Sequence, residues 1–220
     1  MRVDDLNLVL ALLTTALAVG ATLEAARRSR GPAPARERWI WIVASLAVLA
    51  GHRAAFALPQ GGELHYLGAA WLTLLVGYPR AVLSMAAIIL MQMAWQDAPP
   101  ATWGLRVLIG AVLPVWTMWA VVQACRRWLP RNLFVFLLGC GLLGIAAVNM
   151  LQFLTGTVAM ALLGPQAPQV LWGEFLPYGL LLSWGEAWIE GMVITLAVVY
   201  APSGTVRLFD EAYYLAKPGA

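Results

Sequence analysis

Apolar residues run along this chain in long unbroken stretches, punctuated by short polar or basic clusters. They follow neither the alternation of a half-buried strand nor the one-sided stripe of a soluble helix. About 20 apolar residues in a helix cross a hydrocarbon core about 30 Å thick. Seven segments are predicted on this basis: 6–26, 39–58, 65–77, 79–95, 102–124, 133–163 and 171–200. They begin at Leu6, Trp39, His65, Pro79, Thr102, Leu133 and Leu171. The third is too short to cross alone, which leaves a re-entrant or discontinuous element, or a helix packed inside protein. Gly77-Tyr78-Pro79 then turns the chain back. The last two are longer than needed and imply tilt or kinks, with Gly156, Gly164 and Pro177 as candidate bends. A closed β-barrel needs alternating segments and is disfavoured. The pattern predicts an all-α polytopic transmembrane helical bundle of about seven spans, one of them short or re-entrant. It forms a single integral membrane domain over 1–220, with 201–220 as a short cytoplasmic tail.

Composition and charge add the setting and the orientation. A mean hydropathy of +0.76 with 11% charged residues excludes an ordinary soluble domain. Eleven of the fourteen basic residues fall in alternate connections: Arg27, Arg28, Arg30, Arg36 and Arg38, then Arg80, then Arg126, Arg127 and Arg131, then Arg207 and Lys217. The other side keeps Arg2, Arg53 and Arg106. The positive-inside rule makes the first set cytoplasmic, so the amino terminus is outside and the carboxyl terminus inside a plasma (inner) membrane crossed several times. The first segment reads as a retained helix, because its basic cluster follows the apolar run and no A-x-A cleavage pattern does. The basic residues flank spans, so the net charge of +3 speaks for the lipid bilayer as partner and against nucleic acid.

This orientation sets His65 at an outer mouth with Glu63, His52, Arg53, Asp97 and Arg106. Charged groups at membrane depth face protein or a watery cavity, which suggests an outward polar vestibule. Imidazole is a common transition-metal ligand, and His65 with Glu63 and His52 offers a nitrogen and oxygen set. The competing reading makes His65 a helix-entry residue and His52 structural. A zinc-type site is disfavoured, with two histidines and no clustered cysteines. Glu186 and Glu190 share a face of the last span, either on a substrate path or as a polar fastening, with Asn149 and Gln152 as candidate partners and Gly185 and Gly191 allowing close helix contact. The methionines of MQMAW, Met91 to Trp95, read as packing rather than a copper site. Cys125 and Cys140 read as small apolar fillers outside any disulfide framework, and Tyr213 and Tyr214 suit the lipid interface or a docked partner. No Walker A sequence, nucleophile elbow or H-E-x-x-H occurs. The chain reads as no enzyme, with no cofactor bound for catalysis.

The segment HYLGAAWLTLLVG, with His65 and Gly68 spaced as H-x-x-G and Gly77 nine residues on, resembles the CbiM/NikM family. These are substrate-capturing membrane subunits of energy-coupling factor transporters for cobalt and nickel. EAWIEGMVIT near the end resembles that family's late E-G-x-I-T segment. LPRNLFVFLLG and VVYAPSGTVRLFD resemble a divergent branch of CbiM-related permeases. The resemblance implies that His65 and the amine of Met1 ligate metal, and that Glu190 and Gly191 pack helices. It implies cobalt or nickel as the transported divalent ion, with a transmembrane coupling subunit and ATPase subunits as partners. Founding members add a histidine at position two to complete a square-planar nitrogen set, and here that position is Arg2. The expected function is the substrate-binding permease subunit of an energy-coupling factor type ABC importer. The alternative is a non-transporting membrane accessory or scaffold that keeps the fold without the metal site.

Overall fold

A computed structural model describes residues 3–31, 33–53, 55–57, 63–163, 167–201 and 203–215. The helices are α1 (Val3–Arg28), α2 (Ala35–Arg53), α3 (Ala69–Val76), α4 (Tyr78–Trp95), α5 (Pro100–Trp128), α6 (Val135–Leu163) and α7 (Leu171–Tyr200). Between α2 and α3 the chain forms a small antiparallel ribbon of β1 (Ala55–Ala57) and β2 (Glu63–His65). Among the described residues, four helices are long and apolar enough to cross a membrane: Leu8–Arg28 within α1, then α5, α6 and α7.

Two of the boundaries read from apolar runs move in the structure. The second run ends at Arg53 and its last residues become β1, so the chain leaves the helix before Leu58. The third does not begin at His65: that residue closes β2, and α3 starts at Ala69. The cause lies between them. Gly68 has φ 70, in the left-handed region, where a side chain is strained and no helix continues. A Cβ there would also lie 2.8 Å from Val48 Cγ1 of α2. Wide-turned stretches interrupt the long helices: Leu108–Val112 in α5, Val135–Gly144 in α6 and Leu171–Phe175 in α7. Two of these run up to a proline, Pro114 and Pro177, whose missing N–H and bulky ring the wider turn accommodates. Gly156 marks no such turn, and Gly164 lies outside the described residues.

α3 is the centre of the molecule. All eight of its residues are buried, at 0–8% exposure. It is enclosed by α2, α4, α5, α6, α7 and the segment after α7. Gly77, at φ 80, then reverses the chain into α4. α6 and α7 pair along much of their length, and their backbones come close at glycine: a Cβ on Gly191 would stand 2.6 Å from the Gly141 carbonyl oxygen. Gly185 has nothing within 4 Å and plays no part in that contact. α1 packs against α4 and α5, and Gly104 of α5 meets the backbone of Thr14 and Thr15.

Polar side chains inside the bundle are mostly satisfied close to home. Hydroxyls of Thr14, Thr73, Thr157, Ser183 and Thr195 donate to carbonyls one turn back, as apolar surroundings require. Between α2 and α4, Trp41 Nε1 donates to Ser84 Oγ at 2.6 Å, and Ser45 Oγ lies 2.8 Å from the same oxygen.

Ionic contacts gather the basic connections at one end. Arg80 Nη1 donates to Glu37 Oε2 at 2.8 Å, and Arg207 Nη1 lies 3.9 Å from that oxygen. Arg36 donates to the Ser203 carbonyl, and Arg28 stands over the Tyr78 ring. At the other end, Arg53 lies over the Trp95 ring and Arg106 donates to Gln96. Beyond α7 the chain folds back rather than trailing away. Arg207–Phe209 packs against α3 and Asp210–Leu215 against α5. Tyr213 lies neither at a lipid interface nor free for a docked partner. It is buried against Phe136 and Phe209, with its hydroxyl 3.7 Å from Cys140 Sγ. Cys125 and Cys140 are both free thiols.

Candidate functional site

The ribbon brings the sequence-predicted ligand positions into one hairpin. Ala55 pairs with His65 and Ala57 with Glu63, while His52 lies in the last turn of α2, three residues before the ribbon. His52 is 7% exposed, and its Nδ1 lies 3.1 Å from the Val48 carbonyl one turn back. That contact ties the ring to its own helix. Met1 lies outside the described residues. No three His, Cys, Asp or Glu residues cluster in metal-ligand fashion among the described residues.

From His65 the chain runs three residues to the left-handed Gly68 and then into α3. Tyr66 fills the space left by Gly51 of α2: a Cβ on that glycine would stand 2.4 Å from the Tyr66 ring. Glycine at 51 and at 68 therefore seats the H-x-x-G segment on α2.

Behind this segment stand the two carboxylates of α7. Glu186, 5% exposed, accepts from the Leu67 backbone N–H at 3.4 Å and from Asn149 Nδ2 of α6 at 3.4 Å. The pairing of Asn149 with this carboxylate pair is thus present in the fold. Glu190, one turn on and 1% exposed, is faced by the Tyr66 hydroxyl and by the backbone N–H groups of Gly68 and Trp71. Neither of its oxygens completes a hydrogen bond among the described residues, and the same holds for Asn149 Oδ1, Gln152 Oε1 and Trp71 Nε1. No Arg or Lys pairs with either carboxylate among the described residues. An unpaired buried carboxylate is costly, so the donors at the start of α3 are what this pair has to face. The sequence singled out the glutamates but not Tyr66, Trp71 or the α3 amides. The legible signal was a thirteen-residue run too short to span, which must bury an uncapped end.

A buried half-length helix entered through a ribbon, with carboxylates from the last helix at its start and long apolar helices around it, belongs to a polytopic helical membrane protein. Residues 5–203 match the family described as CbiM, the cobalt uptake substrate-specific transmembrane region. The chain belongs to that family, whose members are membrane components of metal transporters and not enzymes. Two solved structures share its fold. One, a transition metal transporter, has a TM-score of 0.66 at 16% identity, covering 85% of this chain and 87% of that one. The other, a truncated transition metal transporter, has a TM-score of 0.67 at 16% identity, covering 86% and 92%. No curated protein sequence matches the chain.

Proposed function

We propose that the protein is the substrate-binding membrane subunit of an energy-coupling factor type importer, capturing a divalent transition metal ion such as cobalt or nickel at the His65 segment. The observation that carries the reading is the seating of H-x-x-G in a CbiM-family chain: a short ribbon holds His65, and Gly68 turns directly into a fully buried helix. On this reading His65 supplies an imidazole, the amine of Met1 a second nitrogen, and Glu63 and His52 complete or flank the set. The metal is cargo. The arginine-rich end faces the cytoplasm of a plasma (inner) membrane and meets a transmembrane coupling subunit, whose ATPase partners supply the work.

A bound ligand stabilises only through the native state, by about 2.7 kcal/mol at a hundred times its Kd. Thermal melts with Ni²⁺ and Co²⁺ should therefore show a metal-dependent rise that His65→Ala abolishes while the apo protein stays folded. The rise should shrink on acidification as the imidazole is protonated. Arg2→His should enlarge it, and ATPase subunits should copurify. Arg2 favours a second reading, an accessory protein that keeps the fold without the site. That reading is right if the unaltered protein shows no metal shift and His65→Ala merely lowers the apo melting point.

A further inference from the structure

α3 begins without a local cap. Gly68, at its N-cap position, has no side chain to offer, so the N–H groups of the first turn lack the usual acceptor. Water cannot serve them, because Ala69 and Ala70 are 0% exposed and Trp71 is 8% exposed. The nearest acceptors stand on α7, over a hundred residues away in sequence. Leu67 N–H donates to Glu186 Oε2, and the Gly68 and Trp71 amides face Glu190 together with the Tyr66 hydroxyl. Neither Glu190 oxygen completes a hydrogen bond among the described residues, so both are acceptors still to be matched, and the side chain is 1% exposed. A helix start carries partial positive charge and free donors, the complement of a carboxylate.

We infer that Glu190, together with Glu186, is a positioning residue for metal capture: the carboxylate pair of α7 caps the buried start of α3 and so holds the His65–Gly68 segment in place. The inference rests on the proposed capture of a divalent ion at His65, and it adds the part of the molecule that sets the ligand's position. It gives the last helix a direct hold on the capture segment, so displacement of α7 is transmitted to His65 through four residues of chain.

The test uses the whole protein in lipid nanodiscs, with amide hydrogen exchange and Ni²⁺ titration for wild type, Glu190→Leu and Glu190→Gln. Phe136→Ala, in the core away from the pair, serves as a control for general destabilisation. Glu190→Leu removes every acceptor at similar bulk. It should speed exchange at Leu67–Trp71 by about tenfold or more and weaken Ni²⁺ binding by a similar factor. Glu190→Gln keeps one acceptor oxygen and should lose no more than about threefold in affinity. Phe136→Ala should lower the melting temperature with affinity within about twofold of wild type. Unchanged exchange at Leu67–Trp71 in Glu190→Leu overturns the inference, as does an equal affinity loss in Phe136→Ala at equal loss of melting temperature. If Glu190→Leu does not fold, Glu186→Leu decides: faster exchange at that segment alone supports the cap, and unchanged exchange sinks it. A wild type that takes up neither Ni²⁺ nor Co²⁺, while Glu190→Leu still unprotects the segment, sinks the capture reading and leaves the cap standing.

Discussion

α1 and α3 are drawn from the same apolar residue types, yet α1 turns Leu8, Leu12, Leu13, Leu17 and Leu23 outward, each more than half exposed, whereas no residue of α3 exceeds 8%. Length separates them. Twenty-six residues at about 1.5 Å each reach across a hydrocarbon core with both helix ends in polar surroundings. Eight residues span about 12 Å, so both ends of α3 would sit in hydrocarbon with unpaired N–H and C=O groups. Such a helix is tolerated only inside protein that supplies the missing partners. At its start the Leu67 N–H donates to Glu186 of α7, with Glu190 close by. At its end the Gly77 N–H returns to the Thr73 carbonyl. Hydrophobicity alone therefore does not say which helices face lipid: the shortest goes inside.

The contrast yields its largest test in side-chain truncation. Leu74→Ala in α3 removes a fully buried side chain and should cost about 2–5 kcal/mol. Leu12→Ala in α1 exchanges one lipid-facing surface for a smaller one and should stay within about 0.5 kcal/mol. Reversible unfolding in mixed micelles measures both, and equal losses would erase the distinction between the two helices.

α1 has a tightly packed face as well, with Ala18 and Ala25 fully buried and a close contact with Gly104. A Cβ there would lie 2.3 Å from the Thr15 backbone nitrogen, while a Cβ on Gly20 meets nothing within 4 Å. Gly104→Leu should push α1 off its neighbour at a cost of about 1–3 kcal/mol. Gly20→Leu should be close to neutral. Crosslinking between cysteines placed on α1 and α5 should fall in the first variant and hold in the second.

The smallest effect concerns the turn that shelters the far end of α3, where the Arg207 side chain reaches Gly77. Burial, followed by the neighbouring Cys140 thiol, raises the Tyr213 hydroxyl above its ordinary range. A phenol raised in the folded state contributes stability that is complete below its unfolded value, about 10, and is lost as pH rises further. Alkali should therefore open this turn before the rest of the bundle, seen as protease cleavage after Arg207. Tyr213→Phe, which keeps the ring between Phe136 and Phe209 and cannot ionise, should shift that opening to higher pH. Identical alkaline profiles would show that the buried phenol does not hold the turn.

Much of this was readable from the chain. The apolar runs anticipate α1, α4 and α6 closely, and the shortness of the third run correctly offered burial inside protein as one of its outcomes. Glu186 and Glu190, four residues apart, pointed to one helix face, and Asn149 does meet the pair. Other features were not readable, because they depend on partners distant in sequence. Leu64 and His65 sit in an apolar context that continues into α3, so nothing local separates strand from helix; the separation is made by pairing with Ala55–Ala57 and by the approach of Gly68 to Val48. Gly185 and Gly191 look alike in sequence, yet only Gly191 faces another backbone. Tyr213 resembles an interfacial tyrosine until Phe136 is found beside it.

The sequence by itself determined that the chain is a lipid-embedded helical protein, that its basic residues gather at alternate connections, and that one helix is too short to span. Those properties follow from local hydropathy, charge and length, which every residue carries wherever the chain folds. Only the tertiary structure decided that the short helix lies at the centre, that His65 enters through a ribbon, and that the two glutamates of the last helix stand at that helix's uncapped start. The physical reason is that a buried N–H must find an acceptor somewhere. Which acceptor it finds is set by how helices pack, not by the order of residues around it.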